Sequence, residues 1–213
     1  HVAGSLSFED AVTLVRRRGE LMRDAAAEIP GAMVSIIGGD EAQVTALCSE
    51  VADGDVLAPA NFNCRGQIVI SGTIPACQRA VEAAGKHGVR AIMLKVAGAF
   101  HSPLVASAGE KLATVLANTT IAPPQCPVIA NVDARAHDTP DTIRDALCRQ
   151  MTHAVRWQDS IEMLIAGGSD RFVEIGPGRV LTGLMRKIDR GVEAINISAA
   201  AHLDLDVRST AAA

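Results

Sequence analysis

Between Ala32 and Val96 the apolar pattern switches repeatedly between the alternation of strands and the wider period of helices, and this succession restricts the possible folds most. Ala32–Ile37 reads as a buried strand and Asp40–Val51 as a helix. Val56–Ala60 and Gln67–Ser71 read as strands joined by the loop Asn61-Phe62-Asn63-Cys64-Arg65-Gly66. Pro75–Lys86 predicts a helix and Val89–Val96 a strand. The order β-α-β-β-α-β is that of a split β-α-β unit, the ferredoxin-like arrangement.

The flanks follow a different plan. Ser7 can cap a helix that carries Glu9 and Asp10 in its first turn and runs to about Glu28, ahead of Pro30 and Gly31. Beyond His101, helices are expected over Pro103–Ala117, Pro140–Met151, Trp157–Ala166 and Gly178–Asp189. Strands are expected over Pro127–Asn131, Arg171–Ile175 and Ala194–Ile197. The alternation predicts an α/β body with a mostly parallel sheet. The expected division is a helix of the large subdomain (1–29), the small ferredoxin-like subdomain (30–97), the remainder of the large subdomain (98–198) and a frayed Ala-rich tail (199–213). A single helix ahead of the small subdomain is too little to cover such a sheet, so the pattern predicts further sequence before His1.

Composition excludes several classes of function. Trp157, four Phe and no Tyr leave little with which to stack bases, and a net charge of −4 offers no general attraction to nucleic acid or anionic membrane. The five cysteines (Cys48, Cys64, Cys77, Cys126, Cys148) form no C-x-x-C pair, so neither a zinc site nor a disulfide framework is expected. Reduced thiols in a cytoplasmic protein are the expectation. No signal peptide or membrane-spanning run is present in the sequence. Apolar residues at 48% suffice for a substantial core.

Two residues break their local patterns. On the first helix Phe8, Ala11, Val12, Leu14, Val15, Leu21, Met22 and Ala25 fill one apolar arc, and Arg18 falls near its middle. Arg17 points away and Arg16 lies at the edge. An arginine so placed is satisfied by an internal salt bridge, snorkels to water, or grips an anionic ligand through its planar fork. His101 lies in Gly98-Ala99-Phe100-His101-Ser102-Pro103, between a predicted strand and a helix. Histidine there can act as a general base or simply pack, and Ser102 fits a helix cap better than a nucleophile.

Gly98–Leu104 resembles the histidine motif of malonyl-CoA:acyl carrier protein transacylases and of the acyltransferase domains of polyketide synthases. Other segments agree in order: Ser7–Met22 (SFEDAVTLVRRRGELM), Asn61–Gly72 (NFNCRGQIVISG), Ile143–Met151 (IRDALCRQM), Val155–Trp157 (VRW) and Glu174–Leu184 (EIGPGRVLTGL). The resemblance covers nearly all of 5–198. It implies an α/β-hydrolase-like acyltransferase body with an inserted ferredoxin-like subdomain. It also implies ping-pong malonyl transfer from malonyl-CoA to the thiol of acyl carrier protein in fatty acid synthesis, without a cofactor.

Residue by residue, His101 matches the base that activates a serine, Gln150 the residue whose main-chain carbonyl orients it, and Arg18 the arginine that binds the malonyl carboxylate. Phe100 resembles the bulky residue of malonyl-selective members. Asn63 and Gln67 are candidates for lining the substrate cleft, though such residues in hairpins often serve only the turn. Gly176-Pro177-Gly178 reads better as a tight turn into a helix than as a phosphate site. The departures are the absence of any G-x-S-x-G elbow in the chain, so that no nucleophile is assigned, and Val105 where the family often has Met. The rival expectations are an acyltransferase serving a polyketide synthase and a non-catalytic module that docks carrier protein.

Overall fold

The computed structural model describes residues 1–200. They divide into two compact units, His1–Ser160 and the stretch from Ile161 onward. That division falls inside the stretch 98–198, which the sequence pattern treats as continuous. Of the expected tail, residues 201–213 lie outside the described residues.

The first unit opens with α1 (Phe8–Glu28), whose N-terminus is fixed by Ser7: its hydroxyl accepts the Asp10 N–H at 3.0 Å. Then come β1 (Ala32–Ile37), α2 (Glu41–Val51), β2 (Leu57–Cys64), β3 (Gln67–Gly72), α3 (Ile74–Ala83) and β4 (Arg90–Met93). Asp40 starts α2 with a capping box, taking the Gln43 N–H at 2.8 Å while Gln43 returns its side chain to the Asp40 N–H. Thr73 caps α3, with Pro75 in the first turn where no N–H is needed. The strands form one antiparallel sheet in the order β2-β3-β1-β4, the split β-α-β arrangement. Its core is Val34, Ile36, Leu47, Ile70, Cys77 and their neighbours, all buried and all drawn from residues 34–89. Full burial of one such branched side chain contributes about 1.5–3 kcal/mol.

Two strand expectations need correction. The segment 61–66 is not a loop: β2 continues through Asn61, Phe62 and Asn63 to Cys64, and only Arg65-Gly66 turn. Phe62 and Cys64 bury their side chains, while two bulges let the polar Asn61 and Asn63 stay half-exposed. β4 is shorter than Val89–Val96: it pairs only with β1, and that pairing runs from Arg90 opposite Ile37 to Met93 opposite Val34.

The entry and exit of this segment touch. A Cβ on Gly31 would overlap the side chain of Ala99, and a Cβ on Gly98 would overlap Ala26 of α1. Glycine is required at both places for the strands of chain to pass.

After His101 a 3-10 turn (Pro103–Val105) precedes α4 (Ala106–Ala117), so the expected single helix begins one turn late. The expected strand at 127–131 shrinks to β5 (Ile129–Ala130), which forms a two-residue hairpin with β6 (Arg135–Ala136). α5 (Pro140–Arg149) and α6 (Trp157–Ala166) follow. Leu14, Leu21 and Ala25 of α1, Leu112 and Leu116 of α4, and Met151 form a second core. Only half of the α1 arc enters it: Phe8, Val12 and Val15 are exposed.

The second unit carries β7 (Arg171–Ile175), α7 (Val180–Ile188) and β8 (Glu193–Ile197). β7 and β8 are the parallel pair among the described residues. Of the mostly parallel sheet expected for the α/β body, the described residues form one parallel pair, β7–β8, and the short antiparallel hairpin β5–β6. No helix of the described residues is long and apolar enough to cross a membrane.

Candidate active site

Three segments distant in sequence converge in the first unit: α1, the turn before α4, and the C-terminal end of α5. His101 stands at the centre with φ +58°, a left-handed conformation. For a residue with a Cβ this costs about 1–2 kcal/mol. The turn is held by Ser102, whose buried hydroxyl donates to the Ala99 carbonyl at 2.7 Å and accepts the Leu104 N–H at 3.3 Å. Ser102 is thus committed to the backbone. Such strain persists where surrounding contacts over-determine it, and it clusters at functional sites.

The His101 ring Nδ1 lies 2.9 Å from the main-chain carbonyl oxygen of Gln150. A carbonyl only accepts, so Nδ1 carries the proton and Nε2 presents a lone pair. Burial pushes the imidazole below its ordinary pKa. The Gln150 and His153 carbonyls pull it upward, the Arg18 charge pushes it down, and the balance is downward. The ring is therefore a neutral base at neutral pH.

Arg18 is half-buried, and burial lowers its pKa. Its neighbours on α1 are paired, Arg16 and Arg17 both with Glu20, at 3.8 and 3.1 Å. Among the described residues no hydrogen bond or ion pair engages Arg18. It lines a cleft of about 300 Å³ together with Ile129, Asn131, His137, Leu147 and Gln150. A guanidinium in a partly dry, largely apolar cleft is equipped to take a carboxylate in two parallel hydrogen bonds.

Phe100 packs on both sides of the site, against the α1–α4 core and against Met33, Ala60 and Val69 of the antiparallel sheet. Asn63 sits in the bulge between Phe62 and Cys64. Gln67 opens β3 and shares the sheet face of Val69, since alternate residues point the same way. Its Oε1 accepts the Cys64 thiol at 3.7 Å.

The sequence picked out Gln150 and the Val155–Trp157 motif but gave no sign of what the connector between them does. Gln150 Nε2 donates to the carbonyls of His153 and Ala154, at 3.1 and 3.2 Å. Val155 bridges to Asn61: its N–H reaches the Ala60 carbonyl and its carbonyl takes the Phe62 N–H, both at 2.8 Å. The Arg156 N–H reaches the Asn131 carbonyl at 2.7 Å. The Arg156 guanidinium lies over the Phe62 ring at 4.8 Å and pairs with Asp159 at 2.5 Å. The motif Val155-Arg156-Trp157 thus ties β2, the β5–β6 hairpin and α6 together. Pairing of Asp133 with Arg149 at 2.9 Å and His137 at 3.1 Å fastens the same hairpin to α5.

In the second unit Glu174 accounts for the Gly176-Pro177-Gly178 motif. Its carboxylate accepts the Leu181 and Thr182 N–H groups at 3.0 and 2.9 Å, and the Thr182 hydroxyl. Burial raises its pKa, but these bonds outweigh that and hold it below the usual value. The helix start already has its anion, so the turn serves to bring Glu174 there; Gly176 and Gly178 take positive φ.

A family model described as the acyl transferase domain matches residues 1–205. A malonyl CoA-acyl carrier protein transacylase of Escherichia coli K12 is 44% identical over 187 residues, covering 87% of this chain and 60% of the relative. The crystal structure of an acyl carrier protein S-malonyltransferase from Vibrio cholerae superposes with a TM-score of 0.90 at 40% identity, covering 95% of this chain and 66% of that one. A malonyl-transacylase in complex with a type II polyketide synthase acyl-carrier protein is equally similar, with a TM-score of 0.89 at 40% identity over 94% of this chain and 65% of that one. The chain thus spans 60% of the length of the Escherichia coli relative.

Proposed function

This chain belongs to the acyl transferase domain family, and on that premise we propose that it carries the base and the carboxylate clamp of a malonyl-CoA:acyl carrier protein transacylase. The observation that carries the reading is the convergence on one site of His101, oriented by the Gln150 carbonyl, and the Arg18 guanidinium, which no described residue pairs. Malonyl-CoA differs from acetyl-CoA by a terminal carboxylate, and Arg18 is the group suited to select it. Phe100 narrows the site beside His101. Asn63 and Gln67, candidates from the sequence, are not among the residues that line the Arg18 cleft and have no part in this reading.

In the proposed reaction a seryl hydroxyl approaches Nε2 of His101. The base takes its proton as the oxygen attacks the malonyl thioester, and the imidazolium returns that proton to the departing CoA sulfur. The thiol of acyl carrier protein then gives its proton to Nε2, attacks the malonyl ester, and the serine recovers its hydrogen from His101. Gln150 stabilises the imidazolium in both halves through Nδ1–H. No G-x-S-x-G elbow occurs in the sequence, so these residues supply no nucleophile of that kind. The reaction needs no cofactor beyond its two thiol carriers.

The reading is tested by joining the chain behind the portion of the Escherichia coli relative that precedes the matched region. The fused protein should move labelled malonyl from CoA to carrier protein, whereas the chain alone should take up no malonyl in an intact-mass measurement. A malonyl adduct on Ser102 of the isolated chain, or a well-folded fusion with no transfer, would overturn it.

A further inference from the structure

We infer that the side chain of Gln150, and not only its carbonyl, is a positioning residue that sets the tautomer and orientation of His101. This deepens the proposed reading, since it assumes that the His101 ring is the group whose state matters. The argument starts at the end of a helix. Its last carbonyls have no intrahelical donor and must find one elsewhere. At the end of α5 the Arg149 carbonyl finds several: the Thr152 N–H at 3.2 Å, the His153 N–H at 3.0 Å and the His153 ring Nδ1 at 2.8 Å. The Met151 N–H turns back to Cys148 at 3.2 Å. The next carbonyl, that of Gln150, is left for His101 Nδ1 at 2.9 Å.

The chain stays in this curl because the Gln150 amide reaches forward along its own backbone. One NH₂ group satisfies two carbonyls, those of His153 and Ala154. Ala154 is where a continuing helix would have offered its N–H to the Gln150 carbonyl. By holding Ala154 through its oxygen instead, the amide keeps that competition away. It also delivers Val155 to its bridge with β2. One side chain therefore sets the direction of the carbonyl that meets His101 and fastens the connector to the antiparallel sheet. Glutamate has the same shape but only accepts, so it would face two carbonyl oxygens with no hydrogen to share. Methionine keeps the volume and offers no donor.

The test uses the whole 213-residue chain with isotope-labelled histidine rings, compared among wild type, Gln150→Glu and Gln150→Met. Ring nitrogen shifts read the tautomer, and a pH titration of the same signals reads the His101 pKa. Wild type should show the Nδ1–H form alone. Both variants should show a mixture of tautomers and a His101 pKa lower than in wild type, because the Gln150 carbonyl pulls that value up. Amide exchange at Phe62 and Val155 should quicken roughly tenfold, while Val34 and Ile36 in the sheet interior stay as slow as before. Unchanged tautomer and pKa in both variants would overturn the inference. So would general unfolding of both, since the role argued is local. None of these readouts requires acyl transfer, so failure here leaves the proposed activity standing; loss of transfer from the fused wild-type protein, with these shifts intact, would do the reverse.

Discussion

The antiparallel sheet of 32–93 and the site around His101 have cores of opposite origin. The sheet region buries Val34, Ile36, Leu47, Ile70 and Cys77 against one another, all from one continuous stretch. The site region packs Leu14 and Leu21 against Leu112, Leu116 and Met151, brought together across the whole first unit. Local contacts close early in folding and can stand alone, whereas distant ones depend on every intervening element. The first region thus draws its buried core from a single stretch of chain. The second is an assembly point, and it holds the Arg18 charge that no described residue pairs and the left-handed His101 with its shifted imidazole.

The most severe break should come at His101. His101→Asn in the fused protein, with a side chain that tolerates left-handed backbone, should keep the fold and reduce malonyl transfer roughly a hundredfold to ten-thousandfold. Transfer within about threefold of wild type would remove His101 from the reaction. Core truncations come next. Ile70→Ala and Leu112→Ala should each lower unfolding free energy by about 2–5 kcal/mol in denaturant titrations. Their effect on the His101 ring should differ: Leu112→Ala disturbs its nuclear resonance signal, and Ile70→Ala leaves it in place. An equal disturbance from both would abolish the contrast between the regions.

Arg18 sharpens the contrast by chemistry. In the fused protein Arg18→Ala should lose roughly tenfold to a few hundredfold in kcat/KM for malonyl but far less for acetyl, as expected for charge-assisted bonds of about 1.5–3 kcal/mol. Arg17→Ala, already paired with Glu20, should change little. The Arg18 charge depresses the His101 pKa, so Arg18→Gln should raise it and move the acid limb of the pH–rate profile to higher pH. A limb that stays put would mean that the two groups do not communicate.

The smallest effect is expected at the hairpin. Burial raises the Asp133 pKa, but Arg149 and His137 outweigh it and hold the carboxyl below its usual value. Its contribution to stability is therefore present above about pH 4 and is lost as pH falls through the lowered value. Asp133→Asn should cost no more than about 1 kcal/mol at neutral pH, and nothing in strong acid, in thermal melts followed across pH.

Legibility in the sequence followed the same division. The β-α-β-β-α-β order was readable because caps, turns and periodicity are local, as at Ser7, Asp40 and Gly66. The extension of β2 through Asn61 and Asn63 was not, since bulges depend on what the partner strand offers. Arg18 stood out as a charge within an apolar arc. Periodicity could not tell that Leu14 and Leu21 would be buried while Phe8, Val12 and Val15 stayed exposed, because burial belongs to the neighbours and not to the helix. The positive φ of His101 and the forward reach of the Gln150 amide left no pattern at all. Both arise from tertiary contacts: by itself His101 drew notice only as a histidine between a strand and a helix, and Gln150 only through the resemblance to a family.

The contact between Gly31 and Ala99 also bears on how such a chain can be rebuilt. The excursion from Ala32 onward leaves and returns at nearly one point, and apart from that point it is tied to the connector by the bridge from β2 to Val155. A replacement insert must match the spacing of its ends and offer an edge strand to Val155, whereas its length is freer because the entropy of closing a loop grows slowly with size. The face it presents beside Phe100 could then be exchanged as a cassette, while Arg18, His101 and Gln150 kept their places.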